Sequence, residues 1–136
     1  DADQLHRFRE TIDSIPMAEH DVRYAISLVR STRIHQGEQS NVMSQYLSWG
    51  AGPRASEWLV LATKAHAAIS GREIATAVDV QAMLAPILRH RLVLNFNAEA
   101  DEMNEDLIIA KLLEIVPTPA NQPSSNFLKK MIAKSK

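Results

Sequence analysis

The chain has 136 residues, 46% apolar and 23% charged, with a formal net charge of −1 and no cysteine. That is enough for one domain with a real core and short for two, and the balance is that of a globular chain, not a disordered one. The near-zero charge argues against a dedicated nucleic-acid or anionic-membrane binder, and the lack of Cys excludes a disulfide framework or thiolate metal site and fits a cytoplasmic setting.

No apolar run reaches the roughly 18 residues of a membrane span, and no secretory signal opens the chain. The start at Asp1 without a Met points to an excerpt or a processed product. Few glycines and abundant Ala, Leu, Ile, Glu and Lys favour an all-α fold. The first helix is expected over about residues 3–13, with Leu5, Phe8 and Ile12 on one face. A second opens near Pro16 and runs to about Arg33, with Val22, Ala25, Ile26 and Val29 at helical spacing. Residues 35–52 read as a polar connection anchored by Val42, Met43, Tyr46, Leu47 and Trp49.

The third helix should span Pro53 to Ser70, with Gly52 as N-cap, Pro53 at the first helical position and Gly71 as the stop. Its apolar stripe reads Ala55, Trp58, Leu59, Ala62, Ala65 and Ile69. Thr76 with Asp79 forms a capping-box pattern for a fourth helix, whose core face is Val80, Met83, Leu84, Ile87 and Leu88 and which Pro86 should bend or split. Leu92–Phe96 is a short β-tolerant run, read as an extended connection. Asn104 caps a further helix to about Val116, ended by Pro117 and Pro119. Residues 118–136 then read as a linker and a basic amphipathic helix carrying Phe127, Leu128, Met131 and Ile132 among four lysines.

Catalytic signatures are missing: there is no phosphate loop, dinucleotide fingerprint, H-E-x-x-H or nucleophile elbow. The acids Glu99, Asp101, Glu102, Glu105 and Asp106 lack the glycine and ligand alternation of a calcium loop and read as a solvated helix entry. Arg89, His90 and Arg91 could bind phosphate, but cations at a helix C-terminus explain them more plainly. His66 and the other histidines have no paired ligands and no metal role is assigned. The helix, turn and helix across residues 53–90 do not make a DNA reader, since the turn is long and the following helix has no Lys or Arg before Arg89.

Arg54 stands apart. At the second helical position its charge is opposed by the helix dipole, at roughly 0.3–1 kcal/mol if exposed. An anion reverses the sign, because free N–H groups, the dipole and the guanidinium would then converge on it. A screened surface arginine is the alternative.

The segments "YLSWGAGPRASEWLVLATKAHA" and "GREIATAVDVQAMLAPILRHRLVLNFNAEAD" resemble the C-terminal lid of the MoxR family of AAA+ ATPases. The resemblance covers about residues 4–117, and "GAGPRAS" (Gly50 to Ser56) and "LRHRLVLNF" (Leu88 to Phe96) are its most specific parts. It implies a small helical bundle of the AAA+ lid type, beside an α/β nucleotide-binding core lying upstream of Asp1 and carrying Walker A, Walker B, sensor 1 and the arginine finger. Arg54 would be the sensor 2 residue, approaching the terminal phosphates of ATP held with Mg2+ by the core of the same subunit. Gly52 and Pro53 would set the approach of the helix end, and Ala55 would keep its first turn slim.

The resemblance further implies a ring, with a homo-hexamer expected, and chaperone-like action on partner proteins, often alongside von Willebrand factor A domain proteins. The basic tail lies outside it and could dock on the lid, a neighbouring subunit or a partner. The competing expectation is a stand-alone helical interaction module that uses Tyr46, Leu47 and Trp49, or the tail, to hold a partner.

Overall fold

The computed structural model describes residues 1–34 and 41–119, with backbone alone at positions 41 and 42. The basic tail and most of the linker expected before it therefore lie outside the described residues. Among the described residues, seven helices and one two-stranded ribbon follow in the order α1 (Ala2–Ser14), α2 (Glu19–Ser31), α3 (Asn41–Tyr46), β1 (Leu47–Trp49), α4 (Arg54–Ile69), α5 (Ala77–Leu88), β2 (Val93–Leu94), α6 (Phe96–Ala100) and α7 (Glu105–Ile115). The fold is the small helical bundle expected, with the ribbon as an addition.

The core lies between α2, α4, α5 and α7. Leu28, Leu59, Leu84, Leu88, Ile108 and Leu112 are fully buried there, and burying each such side chain contributes about 1.5–3 kcal/mol. Met43, Leu47, Ala51 and Leu92 bring α3, the ribbon and its flanks onto the same core. By contrast α1 buries no residue, and Leu5 and Phe8 on its apolar face are 69% and 65% exposed. That helix packs mainly on α4, where Lys64 Nζ donates to the Asp13 carbonyl at 3.2 Å.

Several stripes are rotated from their expected phase. Helix α2 starts at Glu19, not near Pro16, because the Pro16 carbonyl accepts the Ala75 N–H and Met17 bridges to Ala75. Its buried face is Asp21, Tyr24, Ala25, Leu28 and Val29, which leaves Ile26 at 38% exposure. In α4 the buried residues are Ala55, Leu59, Thr63 and Ala67, while Trp58 and Ile69 face outward. Small residues sit inside because α4 packs closely on α5, and Thr63 is accommodated by donating its hydroxyl to the Leu59 carbonyl at 2.7 Å.

Helix α4 ends in a Schellman turn, with Gly71 N–H on the Ala68 carbonyl and Arg72 N–H on the Ala67 carbonyl. Gly71 takes φ +70, which only glycine adopts without strain. Pro86 does not split α5, which continues for two residues to Leu88 although proline has no N–H to offer the Ala82 carbonyl. Asn104 caps α7 by accepting the Leu107 N–H at 2.9 Å.

The run read as an extended connection is β2. It pairs antiparallel with β1, Leu47 opposite Leu94 and Trp49 opposite Val93, with an irregularity between the two pairs. Asn95 N–H donates to the Tyr46 carbonyl and Asn95 Nδ2 to the Gln45 carbonyl, both at 2.9 Å, which fixes the ribbon to the end of α3. The chain thus leaves β1 from a defined position and enters the segment before Arg54.

Candidate functional site

The start of α4 is built from two buried alanines with an exposed ledge between them. Ala51 and Ala55 are each 1% exposed, whereas Gly52, Pro53 and Arg54 are exposed. The helix begins at Arg54 with Pro53 as N-cap in helical backbone, one residue later than expected. The Ala55 N–H donates to the Gly52 carbonyl and the Ser56 N–H to the Pro53 carbonyl, both at 3.0 Å. Two donors expected to be free for an anion are therefore engaged in the entry turn. What remains for an incoming anion is the Arg54 N–H, the guanidinium and the dipole of a 16-residue helix.

No described residue forms an ion pair or side-chain hydrogen bond with the Arg54 guanidinium. An exposed cation at the positive end of a helix, which no described carboxylate pairs with although Glu57 stands in the same first turn, suits a phosphate oxygen.

The ledge is fixed to the end of α2. Gly50 lies so close to the Thr32 carbonyl that a Cβ would overlap the backbone there, while a Cβ at Gly52 would meet nothing within 4 Å. Gly50→Ala should therefore displace the backbone and cost roughly 1–3 kcal/mol. Gly52→Ala should stay within about 0.5 kcal/mol. Thermal melting of the two variants side by side checks this; equal melting temperatures would contradict the close approach.

At the other end of α4, Asp79 has no exposed surface and accepts five hydrogen bonds, one of them from the Thr76 hydroxyl at 3.3 Å. Arg72 Nη1 donates to Oδ2 at 2.6 Å and Arg72 Nη2 to Oδ1. His66 Nδ1 lies 2.7 Å from Oδ1, and because an ionised carboxylate only accepts, that nitrogen carries the proton. The Thr76 N–H completes the capping box at 2.9 Å. Burial alone would raise the Asp79 pKa, but the hydrogen bonds from Arg72, His66 and Thr76 and the charge of Arg72 outweigh it, and the carboxyl is held well below the ordinary range. His66 and Asp79 thus form a structural tie between α4 and α5.

The remaining sequence candidates are dispersed. Arg89 pairs with Asp106 at 2.8 Å, and Arg91 donates to the Ile87 carbonyl at 2.5 Å, as cations closing a helix do. The acids from Glu99 to Asp106 gather no metal-binding group, and none occurs among the described residues. No described helix is long and apolar enough to cross a membrane. Of the residues proposed to hold a partner, Leu47 is buried, Tyr46 donates its hydroxyl to Asp101 at 3.1 Å, and Trp49 is 68% exposed.

Residues 39–112, which include the ribbon, the ledge, α4 to α6 and most of α7, match the AAA lid domain family. The chain belongs to that family. The lid is homologous to MoxR chaperones: it is 34% identical over 98 residues to Chaperone MoxR1 of Mycobacterium tuberculosis, covering 72% of this chain and 26% of that protein. Protein MoxR of Paracoccus denitrificans is 35% identical over 75 residues, 52% of this chain and 21% of the relative. A crystal structure of a protein described as a candidate ATPase, from Cytophaga hutchinsonii, superimposes with TM-score 0.73 at 29% identity, over 80% of this chain and 33% of the other. The lid spans about a quarter of the length of the curated relatives it matches.

Proposed function

We propose that this MoxR-type AAA+ lid acts as the sensor 2 element of an ATPase, with Arg54 reaching the terminal phosphates of ATP held by an upstream core. The observation that carries the reading is Arg54 itself: exposed, first in α4, and without a described partner, inside the segment that matches the family. ATP with Mg2+ would be held mainly by the core, since the described residues offer neither a phosphate loop nor a metal cluster. Gly52 and Pro53 shape the ledge on which Arg54 stands, and Ala55 allows the first turn to lie close to the bundle.

In this reading nucleotide state is transmitted through the lid to the shape of a ring, expected to be a homo-hexamer, that remodels partner proteins. The name of the Mycobacterium tuberculosis relative, a chaperone, supports the remodelling role. Proteins with a von Willebrand factor A domain are the partner class to test first.

The division of labour predicts that residues 1–136 alone, with helical circular dichroism intact, show no saturable ATP binding by calorimetry. The full-length protein should bind ATP in the presence of Mg2+ and encode a Walker A motif upstream of Asp1. Tight ATP binding by the isolated lid would contradict the assignment. The stand-alone alternative keeps one supporting observation, the exposed Trp49 opposite Val93, itself 51% exposed, on the ribbon.

A further inference from the structure

We infer that Thr32, with Arg33, is a positioning residue for Arg54: it clips the peptide three residues upstream and so sets where the guanidinium can reach. The inference rests on the phosphate-sensing role proposed for Arg54. Thr32 is fully buried at the end of α2, 19 positions from Ala51 along the chain. Its hydroxyl donates to the Val29 carbonyl at 2.7 Å and accepts the Ala51 N–H at 2.9 Å. The next residue completes the hold, since Arg33 Nε donates to the Ala51 carbonyl at 3.2 Å. Both backbone groups of Ala51 are thus held by two consecutive residues of another element.

Simple core packing needs no such arrangement. A valine would fill the Thr32 site, but it would leave the buried Ala51 N–H without an acceptor. The absence of a side chain at Gly50 allows the two backbones to approach closely enough for the clip to form. Between the clipped Ala51 and the buried Ala55 only Gly52, Pro53 and Arg54 are exposed. Pro53 has a fixed φ, so little slack remains between the clip and the guanidinium.

The test uses the full-length protein and four substitutions: Thr32→Val, Thr32→Ser, Arg33→Lys and Arg54→Ala. Affinities for a non-hydrolysable ATP analogue and for ADP are measured by calorimetry, and hydrogen exchange of the Ala51 amide is followed by mass spectrometry or NMR. Thr32→Val should weaken the ATP analogue on the order of tenfold, leave ADP unchanged and speed Ala51 exchange. Thr32→Ser should restore all three. Arg33→Lys keeps the charge but withdraws the Nε–H, and should shift analogue affinity in the same direction by less, which keeps the inference testable if Thr32→Val fails to fold.

In the Arg54→Ala background Thr32→Val should change analogue affinity no further. A persisting loss in that background would mean general damage to the bundle and would overturn the positioning role. Weakened binding in Arg54→Ala with wild-type affinity in Thr32→Val would overturn it as well. Wild-type affinity in Arg54→Ala itself would instead remove the sensor role on which it depends.

Discussion

Arg54→Ala in the full-length protein should lower ATP turnover on the order of 10²-fold while leaving the melting of the lid unchanged or slightly raised. The two effects separate because Arg54 does different things in the two settings. Within the lid it is an exposed cation at a positive helix end, without a described partner, so the bundle gains nothing from it. Against a terminal phosphate it would supply a planar fork of donors in a site from which water is largely excluded. Loss of a donor aimed at the terminal phosphate weakens the bound nucleotide and, more strongly, the transition state where charge develops, so KM should rise and kcat should fall by the larger factor. Steady-state kinetics with ring assembly checked by light scattering decides the matter. Unchanged turnover in an assembled ring removes the sensor role. Arg54→Lys should recover part of the rate, since charge returns but the fork does not.

The second large effect is expected at Asp79. Asp79→Ala removes the acceptor shared by Arg72, His66 and the Thr76 N–H, together with the cap of α5. Breaking a buried ion pair costs about 3–5 kcal/mol. Arg72 and His66 are partly exposed and can be solvated when their partner is gone, so the lower end, about 3 kcal/mol, is expected. For a domain of this size that is a fall in Tm of roughly 10 °C. Asp79→Asn keeps an oxygen for the Thr76 N–H but loses the charge, and should fall between alanine and wild type. An unshifted Tm for Asp79→Ala would mean that the network adds no net stability.

The same carboxylate gives the lid a pH dependence with a defined sign. Its folded pKa is depressed, so the unfolded chain binds the proton more readily than the native one. The stability contributed by Asp79 is complete above the unfolded carboxylate value, about 3.9. It is lost as pH falls from there toward the lower folded value. Asp79→Asn should flatten that acid limb by lowering the plateau near neutrality, where the contribution of the carboxylate is complete.

Local chemistry was readable from the residues in order. Thr76 and Asp79, Asn104, Gly71 and Pro53 mark helix ends within a residue of where they fall, because caps and stops are decided by neighbours three or four positions away. The rotations of the stripes were not readable. Trp58 and Ile69 look like core residues by hydrophobicity, yet the close packing of α4 on α5 selects Ala55, Thr63 and Ala67. Asp21 drew no reading and Asp79 only that of a helix cap, although both are buried. For Asp79 the hint was its spacing from Arg72, which a capping-box reading alone passes over.

The candidate site was half legible. Arg54 stood out because its charge conflicts with its position in the helix, and such a conflict is visible without tertiary structure. The ribbon was hidden because β1 and β2 are separated by more than forty residues and each is only two or three residues long. Thr32 carried no signal at all: a threonine at a helix end is unremarkable until the chain returns to present the Ala51 amide.

The 16 residues of α4 make a rod about 24 Å long, with Arg54 at one tip and the partners of Asp79 gathered at the other. A pull on its first residue would be shared along the hydrogen-bonded length of the helix. Its far tip is bolted to α5 through one carboxylate, and α5 would be carried with it. A pull on Arg54 would therefore reach α5 through the packing of α4 and the carboxylate of Asp79.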